Sequence, residues 1–479
     1  MEISSTDERA RTNPLERFAA RMVAFAERWF PDAYVFVLIA VAAVAAGAIL
    51  HGAAPLAVSR AFGDGFWNLI PFTMQMAFVA IGGYVVAVSP PAARLLRRLA
   101  ELPRTARGAT AFIGVLSILL SLVNWGLSLI FSGLLVKAIA RRPELRLDYR
   151  AAGAAAYLGL GCGFTLGVSS SAAQLQANAA SIPPSLLPIT GVIGFDETIL
   201  TWQNGVTLAV VLALSAAICY FTAPAEGARK TAQELGVALD EEAPAEAPRP
   251  TRPGDFLEHS PILTIVVVVL ALGWLFLTFS SGNPLITLSG LNTYNFVILM
   301  LGVLLHWRPR SLLKAFSNAM PSAAGVMLQF PFYAGIAQIL TKAQNGAGHT
   351  LSDAIAHWFV GASGGQTSFS FVVGLYSALL GFFIPSAGGK WVIEAPYVMK
   401  AANEVGAHLG WTVMVYNIAE TLPNLINPFW MLPLLGVLGL KSKDLVGYTS
   451  VQFLFHFPIV LTLAAALMAT FVHHPPVMP

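Results

Sequence analysis

Long apolar runs alternate with short polar breaks from residue 33 almost to the end of the chain. They fall at 33–50, 66–88, 109–136, 151–172, 203–221, 261–279, 291–306, 319–340, 369–398, 411–438 and 449–472. Most approach or exceed the ~20 residues that carry an α-helix across ~30 Å of hydrocarbon. The pattern predicts an all-α polytopic membrane protein. One long polar stretch interrupts it, the Ala/Pro/Glu-rich segment 222–258, which reads as a flexible cytoplasmic linker between two halves. The first 32 residues carry Arg9, Arg11, Arg17, Arg21 and Arg28 in an amphipathic setting. That is too long for the n-region of a signal peptide, so the first apolar run is expected to stay as an anchor.

The basic loops predict how the runs are threaded. Arg94, Arg97, Arg98, Arg104 and Arg107 precede segment 109–136, and Lys137, Arg141, Arg142, Arg146 and Arg150 follow it. A spanning helix would put these clusters on opposite sides, whereas Lys and Arg collect on the cytoplasmic side. The Val123-Asn124-Trp125-Gly126 break resolves the conflict, because a chain that turns there leaves on the side it entered. Segment 109–136 is therefore read as a re-entrant hairpin from the cytoplasm. Segment 369–398 has a similar centre, Ile384-Pro385-Ser386-Ala387-Gly388-Gly389, where Pro stops a helix and Gly permits a turn. Its flanks are nearly charge-balanced (Lys342, Asp353; Lys400, Glu404), so it is expected to enter from the opposite face.

Counting through gives two inverted repeats, 33–221 and 281–479, with hairpins 109–136 and 369–398. A frame-flipping helix at 259–280 separates them, and about nine spanning helices are expected besides the hairpins. The N-terminus falls in the cytoplasm and the C-terminus outside, in a bacterial inner membrane. A weak internal similarity, Gln75-x-x-Phe78 against Gln329-x-x-Phe332, agrees with the repeat. Inverted repeats with discontinuous helices are the architecture of many secondary transporters. Composition supports the class: 56% of the 479 residues are hydrophobic and 11% charged, against ~25% charged in a soluble domain. Cys162 and Cys219 lie in apolar segments and suggest neither a metal site nor a disulfide framework.

Non-helical backbone at membrane depth survives only inside protein or beside a watery cavity. Four such stretches occur: the two hairpin tips, Gly161–Ser171, and Glu420–Pro428. Each half thus offers one tip and one broken helix. Half-helix N-termini present free N–H groups to a carboxylate, and Asn124, Ser386 and the Ser169–Ser171 run add neutral donors. Oxygens of Thr421, Asn424 and Asn427 are candidates for a coupling cation. Small residues that merely let helices pack closely would leave the same pattern.

Only Lys390, Glu394 and Glu420 bring charge well inside apolar segments. Lys390 and Glu394, four apart, either neutralise each other or leave Lys390 to attract substrate. Glu420 has no opposite charge at helical spacing, which makes it a candidate proton carrier or cation ligand. His456 reads as a packed histidine. No phosphate loop, HExxH motif or nucleophile elbow is present, so no enzyme chemistry and no cofactor are expected beyond a coupling H⁺ or Na⁺. The arginine clusters lack the aromatic interleaving of a nucleic-acid surface.

The strings GDGFWNLIPFTMQMA (63–77), VNWGLSLIFSGLL (123–135), QFPFYAGI (329–336), IPSAGGKWVIEAP (384–396) and NPFWMLPLLGVLGL (427–440) resemble the short-chain fatty acid transporter family. The resemblance runs from about Trp29 to the end. It implies uptake of short monocarboxylates such as butyrate or acetoacetate, kinship with a wider ion-transporter fold, and a homodimer. By position it implies that Asn124, Gly126, Ser386, Gly388 and Gly389 form the hairpin tips and that Ser169, Ser170, Glu420 and Asn424 line the partner breaks. The chain departs from the family pattern at Lys390 and in the Ser169–Ser171 run. A dicarboxylate or amino-acid carrier is the alternative within transport, and a membrane-embedded enzyme the alternative outside it.

Overall fold

The computed structural model describes residues 28, 33–239, 252–280, 287, 290–382, 384–427 and 429–478. Apart from Arg28, the expected N-terminal segment 1–32 lies outside them, as does the linker's centre, 240–251. Among the described residues every regular element is helical.

The first half runs α1 (Ala33–Leu50), α2 (Pro55–Gly65), α3 (Ile70–Ala87), α4 (Pro90–Glu101), the hairpin α5 (Ala106–Val123) and α6 (Trp125–Ala140), a broken helix from α7 (Tyr149–Ala156) to α8 (Ser171–Gln176), then α9 (Trp202–Thr222). Helix α10 (Ile262–Ser280) stands between the halves and leaves most of its apolar surface exposed. The second half repeats the order: α11 (Leu291–His306), α12 (Pro309–Ala319), α13 (Ala324–Lys342), α14 (Leu351–Gly361), the hairpin α15 (Gln366–Gly381) and α16 (Ala387–Val405), a broken helix from α17 (Leu409–Thr421) to α18 (Leu432–Leu438), and α19 (Ser442–Leu467). Gln75 and Gln329, paired by the internal similarity, fall on the corresponding helices α3 and α13.

Four short helices, α2, α4, α12 and α14, occupy stretches that the hydropathy pattern alone leaves as loops. Helix α4 shows why: PPAARLLRRLAE is too charged to span, yet Leu96 and Ala100 share a buried face while Arg94, Arg97 and Arg98 stay exposed. Ser89 starts it, its hydroxyl accepting from Ala92 N at 3.4 Å.

The two ends of the first hairpin are tied together. The Arg142 guanidinium donates to the carbonyls of Ala100 and Pro103, both at 2.9 Å, so the chain enters and leaves at one end of the molecule. Tyr149, which starts the first broken helix at that end, donates its hydroxyl to Leu438 O, where the second broken helix stops. At the other end Asn403, near the base of the second hairpin, donates to Ile189 O beyond the first broken helix. Each hairpin base therefore meets the far end of the opposite half's broken helix, which is the geometry of an inverted repeat.

The linker is only partly free. Tyr149 N donates to Lys230 O and Lys230 N donates to Asp148 Oδ2, both at 2.9 Å. Arg141 Nε donates to Leu239 O at 2.8 Å. Ala232 is buried and Val237 lies against Gly439. Residues 229–239 thus serve the start of α7 as a docked strap, because its first amides need acceptors and the Asp148 cap needs donors.

At the opposite end the C-terminal tail is stitched down. Val192 N donates to Val477 O at 2.8 Å, and His474 Nε2 lies 2.7 Å from Glu197 Oε2. With His408, these side chains bring three donor atoms within 4.8 Å of one another, as a metal triad would. However, His408 Nδ1 caps α17 by accepting from Trp411 N at 3.0 Å. That fixes the proton on Nε2 and removes it as a ligand. Burial pushes His408 down to about 4, while hydrogen bonding to Pro475 O and the Glu197 carboxylate raise His474 above its ordinary 6.5. The other titratable neighbour, His473, hydrogen-bonds Ala407 O. A raised folded-state value means the His474–Glu197 contact contributes fully below the unfolded value and fades as pH rises through the folded one. Hydrogen exchange should show the Val192 amide losing protection over that range, and His474→Ala should remove the pH dependence. Protection unchanged in the variant would show that the strap holds without the ion pair.

Candidate substrate-binding site

Asn124 is the whole turn of the first tip, one extended residue between α5 and α6. Its Oδ1 accepts from Leu127 N at 2.9 Å, and its Nδ2 donates to Val79 O and the Tyr294 hydroxyl, each at 3.0 Å. Ser169 Oγ accepts from Trp125 N at 2.9 Å, and Ser170 caps α8 by accepting from Ala173 N. The polar side chains expected here as ligands are thus occupied in closing the breaks. Gly126 brings the backbone of α6 against Ala80 O, where an added Cβ would lie at 3.0 Å.

The second tip is more open. Ser386 caps α16 by accepting from Gly389 N at 3.3 Å. Trp430 Nε1 donates to Pro385 O and the Tyr416 hydroxyl to Ala387 O, both at 2.6 Å. Gly389 faces the Tyr333 ring so closely that no larger residue fits. The N-terminus of the 19-residue helix α16 is therefore held rigid.

The two broken helices cross at their breaks. The Thr165 and Thr421 hydroxyls lie 2.7 Å apart, and the Tyr157 hydroxyl donates to Asn424 O at 3.1 Å. Asn427 donates to Phe382 O at 3.3 Å, tying the second break to the hairpin.

Between these parts lies a cavity of about 190 Å³. A cavity of roughly 150 Å³ takes a molecule the size of benzene, so this one suits a small organic molecule. Ser386, Ala387 and Gly388 bring the start of α16 to its wall, joined by Ser171, Ser322, Gln329 and Asn424. The Tyr333 hydroxyl donates to Gln329 Oε1 at 3.0 Å, which leaves Gln329 Nε2 as a donor. Met76, Trp125, Leu160, Phe164, Phe330 and Trp430 supply the apolar side. Among the described residues no charged side chain lines it. An anion here meets neutral donors and a helix dipole, a combination that binds without a fixed cation to desolvate when the site is empty.

Of the expected substrate ligands, Ser386 and Gly388 reach this cavity. Asn124, Gly126, Ser169, Ser170 and Gly389 build its frame. Lys390 points elsewhere: fully buried, its Nζ donates to Glu394 Oε1 at 3.0 Å and Ser377 O at 2.8 Å, and sits 4.5 Å from the centre of the Tyr416 ring. Ser377 Oγ donates to the other Glu394 oxygen. The pair is satisfied within the hairpin and clamps α15 to α16. Of the expected cation ligands, the Thr421 hydroxyl is taken by Thr165 and Asn417 O, and Asn427 Nδ2 donates to Phe382 O. Glu420 and Asn424 keep side-chain oxygens without a hydrogen-bond partner. Gln329, Ser322 and Trp430 were not expected as lining residues; only the Gln329 repeat and the NPFW string hinted at two of them.

Opposed hairpins, paired helix breaks and an uncharged amphipathic cavity define a membrane transporter of the inverted-repeat type. Two solved transporters share the fold. They are YdaH of Alcanivorax borkumensis (TM-score 0.55, 16% identity, 93% of this chain and 99% of that one) and MtrF of Neisseria gonorrhoeae (0.59, 15%, 96% and 100%), the latter described within a class of antimetabolite efflux pumps. The chain belongs to the short-chain fatty acid transporter family, whose model matches residues 14–468. Relatives described as candidate short-chain fatty acid transporters occur in Escherichia coli K12, 32% identical over 93% of this chain and 99% of theirs. One from Haemophilus influenzae is 29% identical over 93% and 98%.

Removing one member of the hairpin clamp should cost the fold, since it strands a buried charge. Lys390→Met is expected to lower stability by about 3–5 kcal/mol, read as a fall in Tm, with Lys390→Met/Glu394→Gln recovering part of it. Equal losses in the single and double variants would show the two side chains acting independently.

Proposed function

We propose that this protein is a secondary carrier moving short monocarboxylates, such as butyrate or acetoacetate, across the bacterial inner membrane. The observation that carries the reading is the cavity itself. It combines a volume of about 190 Å³, donors concentrated at the start of α16, and apolar walls opposite. A carboxylate facing Ser386, Gly388 and Gln329 leaves a short alkyl tail among Trp125, Phe164, Phe330 and Trp430. A dicarboxylate would set its second charge against those rings with nothing to replace its water, a cost of several kcal/mol. Family membership and the carrier fold agree with this reading.

Transport requires the cavity to open to each side in turn, and inverted repeats provide two related arrangements of one site. The docked strap and the arginine-rich ends of the first hairpin favour the cytoplasm for that face, by the same charge rule that orients other membrane proteins. The tail strap then faces outward, and a homodimer of scaffolds would hold the moving parts. Drive comes through the buried carboxylate of Glu420, which cannot stand bare beside the already neutralised Lys390–Glu394 pair.

Proteoliposomes loaded with labelled butyrate test the substrate class. Butyrate and acetoacetate should compete, and succinate and amino acids should not. Gln329→Leu, which deletes a donor to the carboxylate, should weaken substrate binding by about 1.5–3 kcal/mol, raising KM roughly ten- to a hundredfold. Equal competition by succinate would exclude the monocarboxylate reading. Orientation has a separate check: impermeant thiol reagents should label cysteines placed at Arg98 and Arg146 from the same face, and one at Val477 from the other.

A further inference from the structure

Helix α17 carries Asn417 and Glu420, three apart on one helical face, and Asn424 follows four residues on in the 3-10 turn of the break. All three are buried. Among the described residues, Asn417 Oδ1, both Glu420 carboxylate oxygens and Asn424 Oδ1 have no hydrogen-bond partner. Four such acceptors are not a packing accident that folding ignores, because each costs about 1–3 kcal/mol when unmet.

The surrounding hydroxyls do not meet them. Tyr157, Tyr333 and Tyr416 all lie within electrostatic reach of Glu420, yet each donates elsewhere, to Asn424 O, Gln329 Oε1 and Ala387 O. Thr421 donates to Asn417 O at 2.6 Å, and the Asn417 amide nitrogen turns to Met414 Sδ. The layer is rich in oxygen and poor in donors. A proton on Glu420 gives one donor, which bonds one further oxygen and leaves the rest unmet. A cation meets several at once.

From these observations the geometry points to a sodium site formed by Asn417 Oδ1, the Glu420 carboxylate and Asn424 Oδ1, adjoining the substrate cavity. One carboxylate and two amide oxygens carry a single negative charge, which a monovalent ion balances and a divalent ion does not. The ligands are hard oxygens, suited to an alkali cation rather than a soft metal. Asn424 also lines the cavity, and Tyr157 holds the same turn through its carbonyl. Binding of sodium therefore fixes part of the substrate wall, and by linkage substrate strengthens sodium binding by the same factor. The sodium site stands on its own observations, and only its coupling to uptake rests on the carrier reading.

The test melts the purified full-length protein without carboxylate, in sodium chloride against choline chloride at matched ionic strength and at acid and alkaline pH. Sodium should raise Tm by several degrees, as any ligand of the folded state does. Glu420→Gln should lose the shift, and Asn417→Leu should weaken apparent sodium affinity at least roughly tenfold. Should Glu420→Gln fail to accumulate, binding of radioactive sodium to the native protein and to Asn417→Leu decides the matter. Sodium acting no differently from choline, with melting that follows pH instead, would overturn the site and leave Glu420 a proton carrier. Proteoliposomes separate the two readings. A sodium shift without butyrate uptake keeps the site and removes the carrier assignment; uptake driven by pH alone, indifferent to sodium, does the reverse.

Discussion

Unpaired backbone in a low-dielectric interior is the constraint on which this structure turns. Each helix break exposes N–H and C=O groups, and at membrane depth water is not there to receive them. The protein answers by making the breaks serve one another. Ser169 closes the first tip through Trp125 N, Trp430 and Tyr416 hold the carbonyls of the second, and Tyr157 holds the carbonyl of Asn424. What remains unspent after this mutual closure defines the chemistry. Donors are left at the start of α16, facing a cavity, and acceptors around Glu420 are left without hydrogen-bond partners among the described residues.

The same accounting explains why the charged residues divide as they do. Lys390 and Glu394 spend their charge on each other and on Ser377. They consequently contribute rigidity to the second hairpin and almost no net field to the cavity. Glu420, only a helix turn from the break, has no such arrangement. The structure thus sets a neutral cavity apart from a buried carboxylate that the Lys390–Glu394 pair does not compensate.

Much of the architecture was legible in the chain. The arginines flanking 109–136 implied a hairpin, and Arg142 is found tying its ends. The four breaks, their pairing, and the lone apolar helix between the halves could be read from runs and interruptions. The amphipathic helices could not, because α4 and α12 look like charged loops until their buried residues are seen against a neighbour. Side-chain purpose was less legible still. Asn124 and Ser170 have the right chemistry for a ligand but are consumed as caps, which only local geometry reveals. Lys390 lay open between two fates that spacing alone does not separate. Asn417 looks like an ordinary polar residue in a helix; its missing partner is what marks it.

The stapled base of the first hairpin also bears on how the protein is made. A segment whose two ends share one side need never send its charged flanks, Arg104, Arg107, Arg141 and Arg142, through the bilayer. At the tip, Asn124 meets Val79 and Tyr294. Tyr294 belongs to the second half. The first tip is therefore completed only once the second half has been made, so the site cannot assemble in order along the chain.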